Sequence, residues 1–193
     1  MDGTKIAVVI FIILASAQRV METFARRPRE SGPKQMMWSF YAFVTLHAVI
    51  FGGALVEFLL AGRTLMWGWS AVGVVLYVFS LWLRNAAIRA LGRFWSLVVE
   101  IREKHQFVQD GPYRYVRHPA YAAIVLEVLC VPLVANAWWM MLFAAVTYVP
   151  LLVWRLRVEE RALVEKFGEP YRQYQREVGA LVPQCGSCCN RGS

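Results

Sequence analysis

Charge is scarce in this 193-residue chain: Asp, Glu, Lys and Arg together make up 18%, against about 25% in an average soluble domain. Hydrophobic residues reach 58%, with eight Trp and eleven Phe, and the mean hydropathy is +0.42. A soluble fold this small has too little interior to cover that much apolar surface, and the same excess excludes disorder. Cysteine is also sparse. Cys130 lies inside an apolar run, while Cys185, Cys188 and Cys189 crowd the last nine residues, which is no disulfide framework. The single C-x-x-C, Cys185 to Cys188, lacks the second ligand pair a zinc site needs, so no metal is expected. No cysteine stands fourth from the end, so the tail CGSCCNRGS is no prenylation signal and reads as a frayed terminus. There is no G-x-G-x-x-G loop, P-loop or G-x-S-x-G elbow, which argues against the usual soluble cofactor folds.

What is abundant is long apolar runs, and about 20 such residues cross a bilayer. The first runs from Ile6 to Phe24 and turns polar at Gln18, Arg19 and Glu22. Ala15-Ser16-Ala17 has the form of a signal-peptidase site, but Arg26, Arg27 and Arg29 after the run favour a retained span with an outward N-terminus. The second run, Met36 to Ala61, carries one charge, Glu57, and one histidine, His47, and the third, Leu65 to Leu83, carries no charge. The few residues between them make a helical hairpin. A fourth stretch, Ala120 to Trp154, is charged only at Glu127 and is broken near its middle by Pro132 and Asn136. Two full spans need more residues than it has, so it reads as two shortened helices. The expected fold is an all-α integral membrane protein of about five transmembrane helices, the last two a shortened hairpin.

The net charge of +8 would point to nucleic acid in a soluble protein. In a membrane protein it reports orientation instead, and no nucleic-acid partner is expected. Eighteen of the 21 lysines and arginines fall in the first loop, in residues 84–119 or after Val153; Lys5 and Arg63 lie opposite, with Arg19 at the end of the first span. That bias puts the N-terminus outside and the C-terminus in the cytoplasm. Residues 84–119 and the C-terminal helices then share the cytoplasmic face, where a site meets a soluble cofactor from below and a lipid-embedded acceptor from the side. The chain divides accordingly into a membrane region, 1–83, a region 84–183 that carries the chemistry and includes the hairpin 120–154, and a tail, 184–193.

Two polar segments hold the residues with chemical capacity. The first ends GPYRYVRHPAY: a turn at Asp110-Gly111-Pro112, then Tyr113, Arg114, Tyr115, Arg117 and His118, with Pro119 suited to the first turn of a helix. His118 then sits at a helix N-terminus, where backbone N–H groups favour an anion. The same composition also suits an interfacial belt of tyrosine and arginine. The second reads RLRVEERALVEKFGEPYRQY, with Arg155 four residues before Glu159. It is either a solvated helix with ordinary ion pairs or a place where one carboxylate takes ribose or amino groups and Arg155 takes a carboxylate. Glu159 and Glu160, being adjacent, cannot share one helix face. Leu163, Phe167, Tyr171 and Tyr174 read as packing. Within the bilayer Glu57, Glu127 and His47 need partners or a cavity. Glu127, nine residues past His118, is a candidate for an acceptor tunnel, and His47 reads as an interhelical hydrogen-bonder. Gly52 and Gly53 are candidates for close packing, internal or between copies.

Taken together, GPYRYVRHPAY before an apolar hairpin and RLRVEERALVEKFGEPYRQY after it closely resemble the isoprenylcysteine carboxyl methyltransferase family, which groups with the phospholipid methyltransferases. The resemblance covers roughly residues 91–183, including LGRFWS and Leu181-Val182-Pro183; the N-terminal spans match only in hydrophobicity. It implies a membrane enzyme that uses S-adenosylmethionine. His105, Gln106, Phe107 and Val108 match the family's H-x-L-V-like cofactor segment, with Phe107 replacing the usual aliphatic residue. Tyr113, then His118, Pro119, Ala120 and Tyr121 match further cofactor positions, as do Glu159 and its neighbour Glu160. Arg155 matches the arginine that orients the acceptor's carboxylate, which makes it the expected catalytic residue. With Glu127 it forms the expected acceptor-binding pair.

The implied acceptor is lipophilic, a prenylated cysteine or another acid, phenol or thiol drawn from the membrane. The short chain looks like the minimal prokaryotic members, implying a prokaryotic cell membrane. Two other classes share the scaffold: sterol reductases, which use NADPH, and a non-catalytic membrane partner. The pairing of HPxY with the double glutamate follows the methyltransferase pattern.

Overall fold

The computed structural model describes residues 3–24, 34–35, 37–61, 65–92, 99–100 and 108–184. Among these, six helices carry almost all the regular structure: α1 (Gly3–Phe24), α2 (Met37–Leu60), α3 (Trp67–Leu91), α4 (Pro119–Val134), α5 (Trp138–Phe167) and α6 (Glu169–Glu177). The only strands among the described residues, β1 (Lys34–Gln35) and β2 (Val99–Glu100), pair antiparallel with Lys34 opposite Glu100. No strand is expected there from the weak alternation around Leu97–Ile101, and a two-residue ladder is too short to leave a periodic signature.

Four helices, α1, α2, α3 and α5, are long and apolar enough to cross a membrane. The expectation that the last two helices are both shortened needs correcting. α4 has 16 residues, but α5 has 30. The apolar run ends at Trp154 while the helix continues through its charged segment, since a helix is bounded by backbone hydrogen bonding and an apolar run only by its solvent.

The turn between α4 and α5 falls at Asn136, which takes a left-handed conformation (φ 53°) that asparagine tolerates better than most side chains. Its Oδ1 accepts from the Met66 N–H at 2.9 Å and its Nδ2 donates to Ser70 Oγ at 2.8 Å, tying this turn to the start of α3. Glu57 caps the neighbouring helix end: its carboxylate accepts from the N–H groups of Trp139 (3.2 Å) and Met140 (3.0 Å). A carboxylate there meets orphan donors and the positive end of the α5 dipole together.

The interior is built from Ile12, Ile50, Ala54, Val128, Val131, Tyr148 and Leu152 of α1, α2, α4 and α5. Outward faces stay apolar at Met21, Leu60, Trp67, Val75 and Trp139, as lipid requires. Backbone-to-backbone contact between helices falls at Gly73 rather than at the two glycines singled out by sequence. A Cβ at Gly73 would lie 2.8 Å from Val134 Cγ2 and 3.0 Å from its backbone nitrogen, so α3 and α4 pack backbone to backbone. Gly52 faces open space and Gly53 faces only the flexible side chain of Met140. His47 also departs from expectation. Its Nδ1 donates to the carbonyl of Phe43, one turn back in the same helix, at 2.9 Å, while its ring meets Tyr148 and Phe51 edge-on.

Candidate active site at the junction of α4 and α5

The approach to α4 is set by local chain chemistry. Gly111 has φ 59°, a conformation that excludes a Cβ cheaply, and opens the 3-10 turn Gly111–Arg114. The turn drives Tyr113 inward against Ala87 of α3 and Ala120 of α4, with Val108 at the edge of the cluster. The Tyr113 carbonyl accepts from the Tyr174 hydroxyl at 2.5 Å. Burial, with the nearby Glu159 carboxylate second, pushes the Tyr113 phenol well above its ordinary value, so it stays a neutral donor.

The chain then runs beside the C-terminal segment. Val116 and Gly179 form a parallel bridge, and the N–H groups of Arg117 and His118 donate to the carbonyls of Gly179 and Ala180, both at 2.9 Å. Gly179 has no room for a side chain, because a Cβ would collide with the Val182 carbonyl. Pro119 takes the first position of α4, where its missing N–H costs nothing.

Three side chains from the start of α4 and the residues just before it meet two carboxylates of α5. Arg117 donates from Nε (2.8 Å) and Nη2 (2.7 Å) to one oxygen of Glu160, and from Nη1 to the carbonyls of Gln175 (2.9 Å) and Val178. His118 Nε2 lies 3.2 Å from the same glutamate oxygen. One turn into α4, the Tyr121 hydroxyl donates to Glu159 Oε2 at 2.5 Å, and its ring stacks on His118 with planes 9° apart. The adjacent glutamates diverge by one helical step, as expected, yet both find the first turn of α4.

Arg155, one turn before Glu159, is buried. Its guanidinium carbon lies 5.5 Å from the Phe43 ring centroid and 5.9 Å from that of Tyr121, and its Nη1 donates to Ser39 Oγ at 3.4 Å.

The structure thus brings Tyr113, His118, Pro119, Ala120, Tyr121, Arg155, Glu159 and Glu160 to one junction, with Val108 at its border. His105, Gln106 and Phe107 lie outside the described residues. Glu127 does not join the junction. Fully buried and two turns deeper, it bonds Arg84 of α3 and lies 3.6 Å from Arg19 of α1, while Arg84 also reaches Glu22 at 2.8 Å. Sequence reasoning named Arg117 beside His118 without giving it a role, and left out Ser39 and Phe43, whose connection to Arg155 has no local signal. Leu163, Phe167, Tyr171 and Tyr174 pack together beneath the junction.

Chemically, the junction offers stacked aromatic faces, a carboxylate with only one oxygen engaged among the described residues, and a buried guanidinium. Such a set suits a ligand with a cationic centre and hydroxyls on one side and an anionic ligand beside it. No cluster of three or more potential metal ligands occurs among the described residues.

Residues 72–165 match the family model described as isoprenylcysteine carboxyl methyltransferase. The chain is 28% identical over 162 residues to YpbQ of Bacillus subtilis, a protein described as uncharacterized, covering 81% of this chain and 96% of that one. It is 31% identical over 125 residues to protein-S-isoprenylcysteine O-methyltransferase B of Arabidopsis thaliana, covering 61% of this chain and 60% of the plant protein. Methanethiol S-methyltransferase 1 of Bradyrhizobium diazoefficiens is 38% identical over 71 residues, 37% of this chain and 24% of that protein. The chain therefore spans nearly all of the Bacillus relative but less than two thirds of either relative named for an activity.

Proposed function

We propose, because the chain belongs to the isoprenylcysteine carboxyl methyltransferase family, that it is an integral membrane enzyme transferring a methyl group from S-adenosylmethionine to a lipophilic acceptor, a carboxylate of the isoprenylcysteine type. The arrangement we propose has five passes, α4 being the short one, with the N-terminus outside and the junction of α4 and α5 at the cytoplasmic face of a prokaryotic membrane. The positive-charge bias supports that orientation.

The observation that carries the reading is the assembly of Tyr121, Glu159 and Arg155 at one junction, the Tyr121 hydroxyl on Glu159 and its ring beside the Arg155 guanidinium. The residues fit the cofactor. Glu159 has an oxygen to offer its hydroxyl or amino groups, and the stack of His118 and Tyr121 offers faces to an adenine ring or a cation. A sulfonium supplies a methyl group that is already activated, so what remains is alignment and exclusion of water. Arg117 and Glu160 lock α4 to α5 and to the end of α6, which fixes His118 and Tyr121 in place. Arg155 orients the anionic acceptor. A carboxylate is ionised at neutral pH and asks no general base of the chain, whereas a thiol or phenol would. This favours the chemistry in the plant relative's name over that in the Bradyrhizobium relative's name.

The test is titration calorimetry in detergent with S-adenosylhomocysteine and, separately, NADPH, using His118→Ala as the control. Binding of the thioether that His118→Ala weakens supports the reading. Binding of NADPH alone overturns it in favour of reductase chemistry. Transfer of radiolabelled methyl to N-acetyl-S-farnesylcysteine and to methanethiol then separates the two acceptor classes.

A further inference from the structure

Arg155 lies inside the segment that matches the family model, but two of the side chains that hold it do not. Ser39 and Phe43 belong to α2, before residue 72, where the family match begins. Four residues apart, they share one face of that helix. Ser39 is fully buried and its Oγ accepts from Arg155 Nη1; the Phe43 ring lies 5.5 Å from the guanidinium carbon. On α4 the ring of Tyr121 is the second aromatic face near that carbon, 5.9 Å away. The Phe43 ring is itself fixed, with Tyr148 of α5 packed on it at 4.9 Å and His47 beyond, at 4.8 Å from Tyr148. A guanidinium on a long stem has many rotamers, and burial alone selects none of them. An aromatic face attracts it without neutralising its charge, and a hydroxyl at one nitrogen fixes rotation about the stem.

We infer that Ser39 and Phe43 are positioning residues: α2 sets the orientation in which Arg155 meets the acceptor, so acceptor selection depends on a helix outside the family-matched segment. The inference rests on the proposed role of Arg155. Cofactor binding belongs to His118, Tyr121 and Glu159 and does not pass through α2. Acceptor KM and cofactor affinity are therefore separable by substitutions on α2.

Two measurements test this on the full chain in detergent. The first reads Arg155 directly, as its rate of modification by phenylglyoxal followed by peptide mass spectrometry. Phe43→Leu should speed modification at Arg155 by about fivefold, the scale of one lost cation–π contact, and Ser39→Ala by about the same factor, the scale of one lost hydrogen bond, while Phe43→Tyr, which keeps the ring, stays near wild type. Phe51→Leu is the packing control, since Phe51 is buried on the same helix and meets His47 rather than Arg155. Equal acceleration in the Phe51 and Phe43 variants, or none in either, overturns the inference. The second measures KM for N-acetyl-S-farnesylcysteine and Kd for S-adenosylhomocysteine. A raised KM with unchanged Kd in Phe43→Leu supports the inference, and a parallel loss of both overturns it. If the wild type does not methylate this probe, the acceptor reading fails, while the phenylglyoxal comparison still decides the role of α2.

Discussion

Two carboxylate clusters meet α4, and they solve opposite problems. Near its start, Glu159 and Glu160 accept from Tyr121, His118 and Arg117. Two and a half turns on from His118, about 13 Å deeper by helical rise, Glu127 lies between Arg84 and Arg19, with Glu22 completing the set. Glu127 is fully buried, whereas the Glu160 side chain keeps 15% of its surface exposed. In the deep cluster two guanidiniums balance two carboxylates, because an unmatched charge among packed helices in lipid has no water to turn to. At the shallow cluster Glu159 is held by a neutral hydroxyl, which orients a carboxylate without cancelling its charge. The difference teaches that depth along α4 decides whether a carboxylate must be matched by guanidiniums or can rest on a neutral hydroxyl.

The sharpest way to break this comparison is to unbalance the deep cluster. Glu127→Leu leaves Arg84 and Arg19 facing each other without the carboxylate, and should lower unfolding stability by about 3–5 kcal/mol. Adding Arg84→Met should recover most of that loss, since Arg19 and Glu22 remain as an opposite pair. Thermal unfolding in detergent reads both variants. The shallow cluster should respond the other way. Tyr121→Phe removes the hydroxyl from Glu159 and should weaken S-adenosylhomocysteine binding about 10- to 100-fold, the scale of a hydrogen bond to a charged group, with the unfolding midpoint near wild type. Calorimetry beside thermal unfolding checks the separation.

Gly73→Ala pushes on the helix pair that carries the deep cluster, and overpacking there should cost about 1–3 kcal/mol with cofactor affinity preserved. The smallest effect belongs to the exposed pair of Glu169 and Arg176 on α6, 2.7 Å apart. Arg176 holds the Glu169 carboxyl below its ordinary value. The stability it adds is therefore present above that value and is lost as pH falls through the depressed one. Because both groups are solvent-exposed, Glu169→Gln should leave the unfolding midpoint at pH 7 indistinguishable from wild type.

Much of the fold was legible. The apolar runs mark α1, α2 and α3 to within a few residues at most ends, and the break at Asn136 marks the turn between α4 and α5. The end of α5 was not, because the helix outlasts its apolar stretch. At the site, the motif around His118 and the double glutamate carried most of the junction in advance. Glu127 shows what the motif does not carry. Its need for a partner was readable, but the partner on α3 is 43 residues away, and no local pattern connects them. The contact between Ser39 and Arg155 spans 116 residues and is equally silent in the sequence.

The sequence by itself determined that the chain is helical, that its long apolar helices suit a bilayer, and which short motifs carry chemical capacity. Helix periodicity and hydrophobic length act on neighbours in the chain, so they can be read there. Only the tertiary structure decided which charges neutralise one another and which carboxylate rests on a neutral hydroxyl instead. That choice depends on the faces α1, α2 and α3 turn toward α4 and α5, and on close approaches such as Gly73 against Val134. Packing brings together residues whose sequence positions say nothing of each other, and in a low dielectric those meetings dominate the energy of every charge.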